Sequence, residues 1–192
     1  MTLELAGLSL AQAFTVLLPI LLPGIFFIIS IKKRWLLVLD RPMDFGMNLG
    51  AERVFGPNKN WRGAVIYVLG GTATTYLLHL IAEDQSWVAP IFKLDPLWLG
   101  LASCSGYVAG ELVNSFIKRR IGIGSGTSAK SNLGKSIQAF FDNTDGAIAM
   151  GLVFYFGFGV VGGYLWLSLG LAFITHAASD LVMRKLSLKK KQ

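Results

Sequence analysis

Six residues near two apolar stretches have the types and spacing to do chemistry. Glu111 stands inside Leu97 to Ile117, a run with no other charge, about 9 Å from its end at about 1.5 Å per helical residue. An ionisable group at membrane depth is costly and marks a functional site by default. Asn114, Ser115 and Lys118 follow at i+3, i+4 and i+7, so a helix would carry them on one polar stripe with Glu111. An interhelical hydrogen bond or a Glu–Lys pairing is the plainer use of the same groups. Asp142 and Asp145 are three apart and would share a helical face at the expected start of another apolar helix. There the helix dipole favours anions, and a simple N-terminal charge pair is the plain reading. The chemical reading is a magnesium site, because Mg²⁺ takes one or two carboxylates and completes its shell with substrate phosphates.

Phosphate-binding chemistry is offered by two polar segments. Phe55-Gly56-Pro57-Asn58-Lys59-Asn60-Trp61-Arg62-Gly63 precedes one apolar run, and Ser115-Phe116-Ile117-Lys118-Arg119-Arg120 leads into a Gly/Ser-rich stretch from Gly122 to Gly134. Glycines beside basic residues let backbone N–H groups approach an anion, although the same composition also describes a flexible loop. His176 and Asp180 share a face four apart, and Asp180 can equally pair with Arg184. His79 reads as packed or interfacial, Cys104 as a small buried apolar group, and the aromatics of 154–166 as lipid-facing or belt positions rather than a cofactor box.

The elements that must position these residues follow from composition. The chain has 192 residues, 53% hydrophobic and 15% charged, against about 25% charged in an ordinary soluble domain. That excludes a water-soluble coat, and the apolar content with 12% aromatics excludes disorder. One cysteine excludes a disulfide framework. A helix crossing the bilayer needs about 20 apolar residues. Leu10 to Ile31, Ala64 to Ala82 and Leu97 to Ile117 each supply such a run, and Ala147 to Met183 supplies 37 residues that break at Gly162-Gly163 into 147–161 and 164–183. The expected fold is therefore all-α, an integral membrane bundle of about five helices forming a single domain, 1–192.

Charge placement orients it. Of the 18 Lys and Arg residues, 17 fall in 32–63, 118–146 and the tail, and only Lys93 lies in 83–96. Positive loops stay cytoplasmic. The N-terminus is thus expected outside, the C-terminus inside, and the loops 32–63 and 118–146 at the cytoplasmic face of the cell (inner) membrane. The net charge of +7 is explained by topology, with no nucleic acid as partner. Glu4 precedes the first run and Lys32-Lys33-Arg34 follow it, the reverse of a cleaved signal.

The sequence resembles the CDP-archaeol synthase family, within the wider phosphatidate cytidylyltransferase group. The resemblance rests on Asn58-Lys59-Asn60-Trp61-Arg62-Gly63, on Gly110-Glu111 followed by Ser115-Phe116-Ile117-Lys118-Arg119-Arg120, on Asp142-Asn143-Thr144-Asp145, and on the ending from His176 to Leu188. It implies a multi-span enzyme that transfers CMP from CTP to a lipid phosphate with Mg²⁺. By matching positions it implies metal binding by Asp142 and Asp145, with Glu111 a third ligand. Lys118, Arg119 and Arg120 would hold the triphosphate and the lipid phosphate, and Asn58, Lys59 and Arg62 would close the nucleotide pocket, beside Asn114 and Ser115. The chain departs from the pattern with Glu111 in place of Asp, Asn60 in place of Thr or Ser, and Gly146 in place of an apolar residue.

Three other classes compete. A CDP-alcohol phosphotransferase needs Arg where Met150 stands after Asp145-Gly146-Ala147-Ile148-Ala149. A CTP-dependent polyprenol kinase would use the same site with a different phosphorus. A small transporter would need a polar path through both faces, whereas the polar residues gather in the cytoplasmic half.

Overall fold

The computed structural model describes residues 10–82 and 84–160 and scattered positions between 167 and 185. It is mostly helical. Helix α1 spans Leu10–Lys32, α2 Trp61–Ala82, α3 Pro96–Arg120 and α4 Asn132–Phe158. The fifth expected span, with His176 and Asp180, lies largely outside the described residues.

Of the expected spans, α1 and α2 are long and apolar enough to cross a membrane, with mean hydropathies of 2.5 and 1.5. Helices α3 and α4 have the length, 25 and 27 residues, but carry polar side chains in the last turns of α3 and the first turns of α4. The outward faces are oily: Leu22, Leu69, Leu77, Leu152 and Phe156 are all exposed. An apolar surface of this extent needs a cover other than water.

Helix α1 contains two prolines, Pro19 and Pro23. Pro23 has no N–H, so the carbonyl four residues back, at Pro19, loses its helical donor. The Cys104 thiol of α3 lies 3.9 Å from that oxygen and points its weak donor at it. Gly71 of α2 makes the approach possible, since a Cβ there would stand 2.5 Å from the same carbonyl oxygen and 2.3 Å from the Cys104 sulfur. The chain has thus used Cys104 as a small buried group, as expected.

Helix α2 starts at Asn60, whose side chain accepts from Gly63 N at 2.9 Å. Its turn Ile66–Gly70 is π-helical. Beyond it Thr72, Thr74 and Thr75 return their hydroxyls to the carbonyls of Val68, Gly70 and Gly71, which leaves no donor facing an apolar surround. Helix α3 is capped by Asp95, which accepts from Trp98 N at 2.7 Å, with Pro96 in the first turn. His79 places Nδ1 2.8 Å from the Phe92 carbonyl in the connection between α2 and α3, the packed role expected for it.

Helices α3 and α4 form the most extensive contact. Small residues permit it: a Cβ on Gly110 would come within 2.4 Å of the Asp145 carbonyl oxygen, and one on Gly106 within 2.6 Å of Val153. This is the small-xxx-small packing that brings membrane helices together closely.

One expectation is corrected here. Residues 132–146 are not part of a loop, because α4 begins at Asn132, with Ser131 as its cap accepting from Gly134 N at 3.0 Å. At 27 residues the helix is about 40 Å long, more than the roughly 30 Å of a hydrocarbon core. Its first turns can therefore be polar. Asp142 and Asp145 lie in the middle of α4, so the N-terminal dipole does not explain them. The helix stops at Gly159, whose φ of 66° suits a left-handed cap, before the expected break at Gly162-Gly163.

Candidate active site

The first polar segment folds as a pinned loop. Asp44, fully buried, accepts from Gly46 N, Phe55 N and Gly56 N and pairs with Arg53. Burial pushes its carboxyl up, but the Arg53 guanidinium and the three amides outweigh this and hold it at about 2. The hairpin Asn48–Leu49 with Glu52–Arg53 is tied to α3 by Arg120, which donates to the carbonyls of Leu49, Glu52 (3.2 Å) and Arg53 (2.8 Å) and lies 5.2 Å over the Phe116 ring. Asp40 holds the approach to α2, receiving Asn60 Nδ2 at 2.8 Å and Arg62 at 3.0 Å.

This loop delivers Lys59 to the α3–α4 seam. Its ammonium donates to Glu111 Oε2 at 2.5 Å. One turn along α3, the Asn114 amide donates to both Asp142 Oδ1 (2.8 Å) and Asp145 Oδ2 (2.7 Å). Lys118 donates to Asp142 Oδ1 at 2.5 Å, and Gln138 reaches Asp142 Oδ2 at 3.5 Å. Asp145 also takes Gly146 N at 2.7 Å. Burial lowers the Lys59 pKa, but Glu111 beside it, with Asp145 and Asp142 further off, raises it more, and the net shift is upward. Lys59 therefore stays charged. All six side chains, Lys59, Glu111, Asn114, Lys118, Asp142 and Asp145, are only partly buried, so the cluster opens to solvent.

The structure thus brings together six of the residues singled out in the sequence. The Glu–Lys pairing exists, but Glu111 pairs with Lys59, fifty-two residues away, while Lys118 serves Asp142. Arg62 turns to Asp40 and the Trp35 carbonyl. Arg119 donates to the Ile123 carbonyl and Arg120 is committed to the hairpin. Asn58 is exposed and Ser115 buried. The Nε atoms of Arg62, Arg119 and Arg120 are buried without a hydrogen-bond partner. Sequence reasoning passed over Asp40, Asp44 and Gln138, and also Tyr107, although Tyr107 stands one helical turn before Glu111.

Among the described residues no three or more His, Cys, Asp and Glu side chains make a ready cation cage. Asp142 and Asp145, sharing the Asn114 amide, instead make a two-carboxylate platform. That fits a hard divalent ion whose remaining ligands are waters and phosphates.

The chain matches the CarS-like CDP-archaeol synthase family over residues 13–190. It belongs to that family. A CDP-archaeol synthase of Methanopyrus kandleri is 31% identical over 156 residues, 78% of each chain. That of Halobacterium salinarum is 34% identical over 86 residues, which span 43% of this chain and 46% of the relative, under half its length. That of Archaeoglobus fulgidus is 37% identical over 90 residues and half of its length. A solved structure described as an intramembrane enzyme for archaeal membrane lipids biosynthesis superposes with a TM-score of 0.60 at 20% identity, covering 85% of this chain and 92% of that one. The two chains share a fold.

Proposed function

We propose that this chain is a CTP-dependent nucleotidyltransferase that moves CMP onto a lipid phosphate at the cytoplasmic face of a membrane. The observation that carries the reading is the α3–α4 seam, where three carboxylates, two ammonium groups and an amide converge at the polar end of two tightly packed helices. Membership of the CDP-archaeol synthase family supports the reaction class, and an isoprenoid ether lipid phosphate is the first acceptor to try.

Asp142 and Asp145 would hold Mg²⁺, with Glu111 as a further carboxylate. The bound ion would neutralise phosphate charge. The protein's own groups do the rest. Lys59 and Lys118 reach the carboxylates on flexible stems and can turn to triphosphate oxygens as an anion enters. Arg119, which interacts electrostatically with Asp142, lends positive charge, and Arg120 keeps the hairpin and hence the Lys59 loop in place. A lipid phosphomonoester is largely dianionic at neutral pH, its second pKa being about 6, so no general base is required. Its oxygen forms the new bond to the α-phosphorus of CTP, the bond from that phosphorus to the bridging oxygen breaks, and pyrophosphate leaves with the electron pair. Catalysis is then alignment and charge compensation.

The test is an assay in detergent with Mg²⁺, a panel of lipid phosphates and CTP labelled at the α-phosphate. Label in a lipid product with the mass of a CDP-lipid is expected. Lipid that gains only the γ-phosphate would make the chain a kinase, and no lipid labelling across the panel would overturn the proposal.

A further inference from the structure

Tyr107 of α3 is 3% exposed and stands one turn from Glu111, to which its hydroxyl is hydrogen-bonded. Its ring stacks on Tyr67 of α2, with centroids 5.2 Å apart and planes at 28°, and the two side chains share a hydrogen bond. Tyr67 belongs to the π-helical turn Ile66–Gly70. An inserted residue of this kind re-aims the side chains around it and recurs at functional sites. Two glycines clear space for the pair. A Cβ on Gly146 would stand 2.5 Å from the Tyr107 ring, and one on Gly24 would stand 3.0 Å from the Tyr67 hydroxyl. Gly146 also adjoins Asp145, so the Tyr107 ring is wedged between the two carboxylate-bearing helices.

A buried tyrosine hydroxyl must find an acceptor, and a carbonyl would serve. Here it meets the one carboxylate on its own helix, which has a long flexible arm and a lysine on its other side. A rigid ring, stacked and boxed by glycine, fixes that arm in a way a lysine cannot. We propose that Tyr107, aimed by Tyr67, is a positioning residue that holds the Glu111 carboxylate beside the two-carboxylate platform of Asp142 and Asp145, where it would join the shell of a bound ion. The inference rests on the transferase reading above and deepens it.

The test is Tyr107→Phe, which keeps the ring and removes the hydroxyl. Mn²⁺ binding to the detergent-solubilised chain without nucleotide is counted from the free-ion electron paramagnetic resonance signal. Outer-shell partners of metal ligands are typically worth 10- to 100-fold, so affinity is expected to fall about tenfold. In the lipid assay kcat should fall by a similar factor while KM for CTP moves less than about twofold, since the nucleotide contacts are untouched. In a Glu111→Gln background the further change Tyr107→Phe should leave Mn²⁺ binding where it is. Unchanged Mn²⁺ affinity in Tyr107→Phe, an equal loss with Glu111 already replaced, or a wild-type chain that binds no Mn²⁺ overturns the proposal. If Tyr107→Phe does not fold, Tyr67→Phe carries the same expectation at about threefold, the size of one modest neutral hydrogen bond. Absence of lipid labelling by the wild type sinks the transferase reading alone, because the Mn²⁺ comparison still decides this one.

Discussion

Replacement of Asp145 by Asn is the sharpest test of the carboxylate platform. The side chain keeps its shape and loses one charge. Asp145 accepts from Asn114 and from Gly146 N, and an Asn oxygen can still accept from Asn114. The cluster otherwise holds Glu111 and Asp142 against Lys59 and Lys118, so the substitution takes it from one net negative charge to neutral. At about 5 Å and an effective dielectric near 20, a unit charge is worth roughly 3 kcal/mol to a monovalent ion and about twice that to a divalent one. Solvent access reduces this, and half the divalent figure still leaves about 3 kcal/mol, or about a hundredfold in affinity. Mn²⁺ binding and CMP transfer should therefore both fall by about two orders of magnitude or more, while the melting temperature stays within a few degrees, because no packing atom is removed. The assay pairs Mn²⁺ titration with the labelled-lipid assay on protein checked by thermal melting. Wild-type transfer in a folded Asp145→Asn chain would show that the ion, if any, is held elsewhere.

Three further outcomes follow from the same geometry. Gly110→Ala places a methyl against the Asp145 carbonyl oxygen and should cost about 1–3 kcal/mol by overpacking, read as a lower melting temperature together with lost transfer. Arg120→Ala releases the carbonyls of Leu49, Glu52 and Arg53, so limited proteolysis within 45–55 should accelerate severalfold and KM for CTP should rise through the loosened Lys59 loop, with the helical circular dichroism unchanged. Asp44 is ionised more readily in the folded chain, at about 2 against an ordinary 3.8, so the stability it gives is present above about 3.8 and is lost as pH falls through about 2. Amide exchange in 44–56 should rise across that window in the wild type and already be high at neutral pH in Asp44→Asn.

Much of this arrangement is written locally in the chain, and the rest is not. Helices α1 and α2 coincide with long apolar runs and α3 with one broken by Glu111, so periodicity and length reveal them. The start of α4 escaped because 132–146 is polar and a hydropathy window sees only a loop. The signal was a different one, the cap Ser131 followed by helix-forming residues. Glu111, Asn114, Lys118, Asp142 and Asp145 were legible because two helical spacings and one charge at depth mark them. Their partners were not. Nothing local tells Glu111 that its cation is Lys59 rather than Lys118, since that choice depends on how the loop 33–60 folds over the seam. Arg120 reads as a phosphate ligand in a basic run, yet three carbonyls of a hairpin some seventy residues earlier claim it.

That division has a physical consequence for the proposed reaction. Carboxylates at the edge of an apolar layer are tolerable only when compensated, because an unpaired charge there costs several kcal/mol. The chain supplies the compensation internally, with Lys59 on Glu111, Lys118 on Asp142 and the Asn114 amide across Asp142 and Asp145. A magnesium nucleotide brings a cation for the carboxylates and anionic oxygens for the lysines in one step. Each displaced partner then meets a new one, and no charge is left unpaired during the exchange. Free Mg²⁺ or free CTP alone would strand one half of the set. The two should therefore bind with positive coupling, each raising the affinity of the other by the same factor. Calorimetric titration of CTP with and without Mg²⁺ measures that factor, and Lys59→Met should lower CTP affinity in the presence of Mg²⁺ while raising the affinity for Mn²⁺ alone. Independent binding of the two ligands would show that the lysines do not exchange partners.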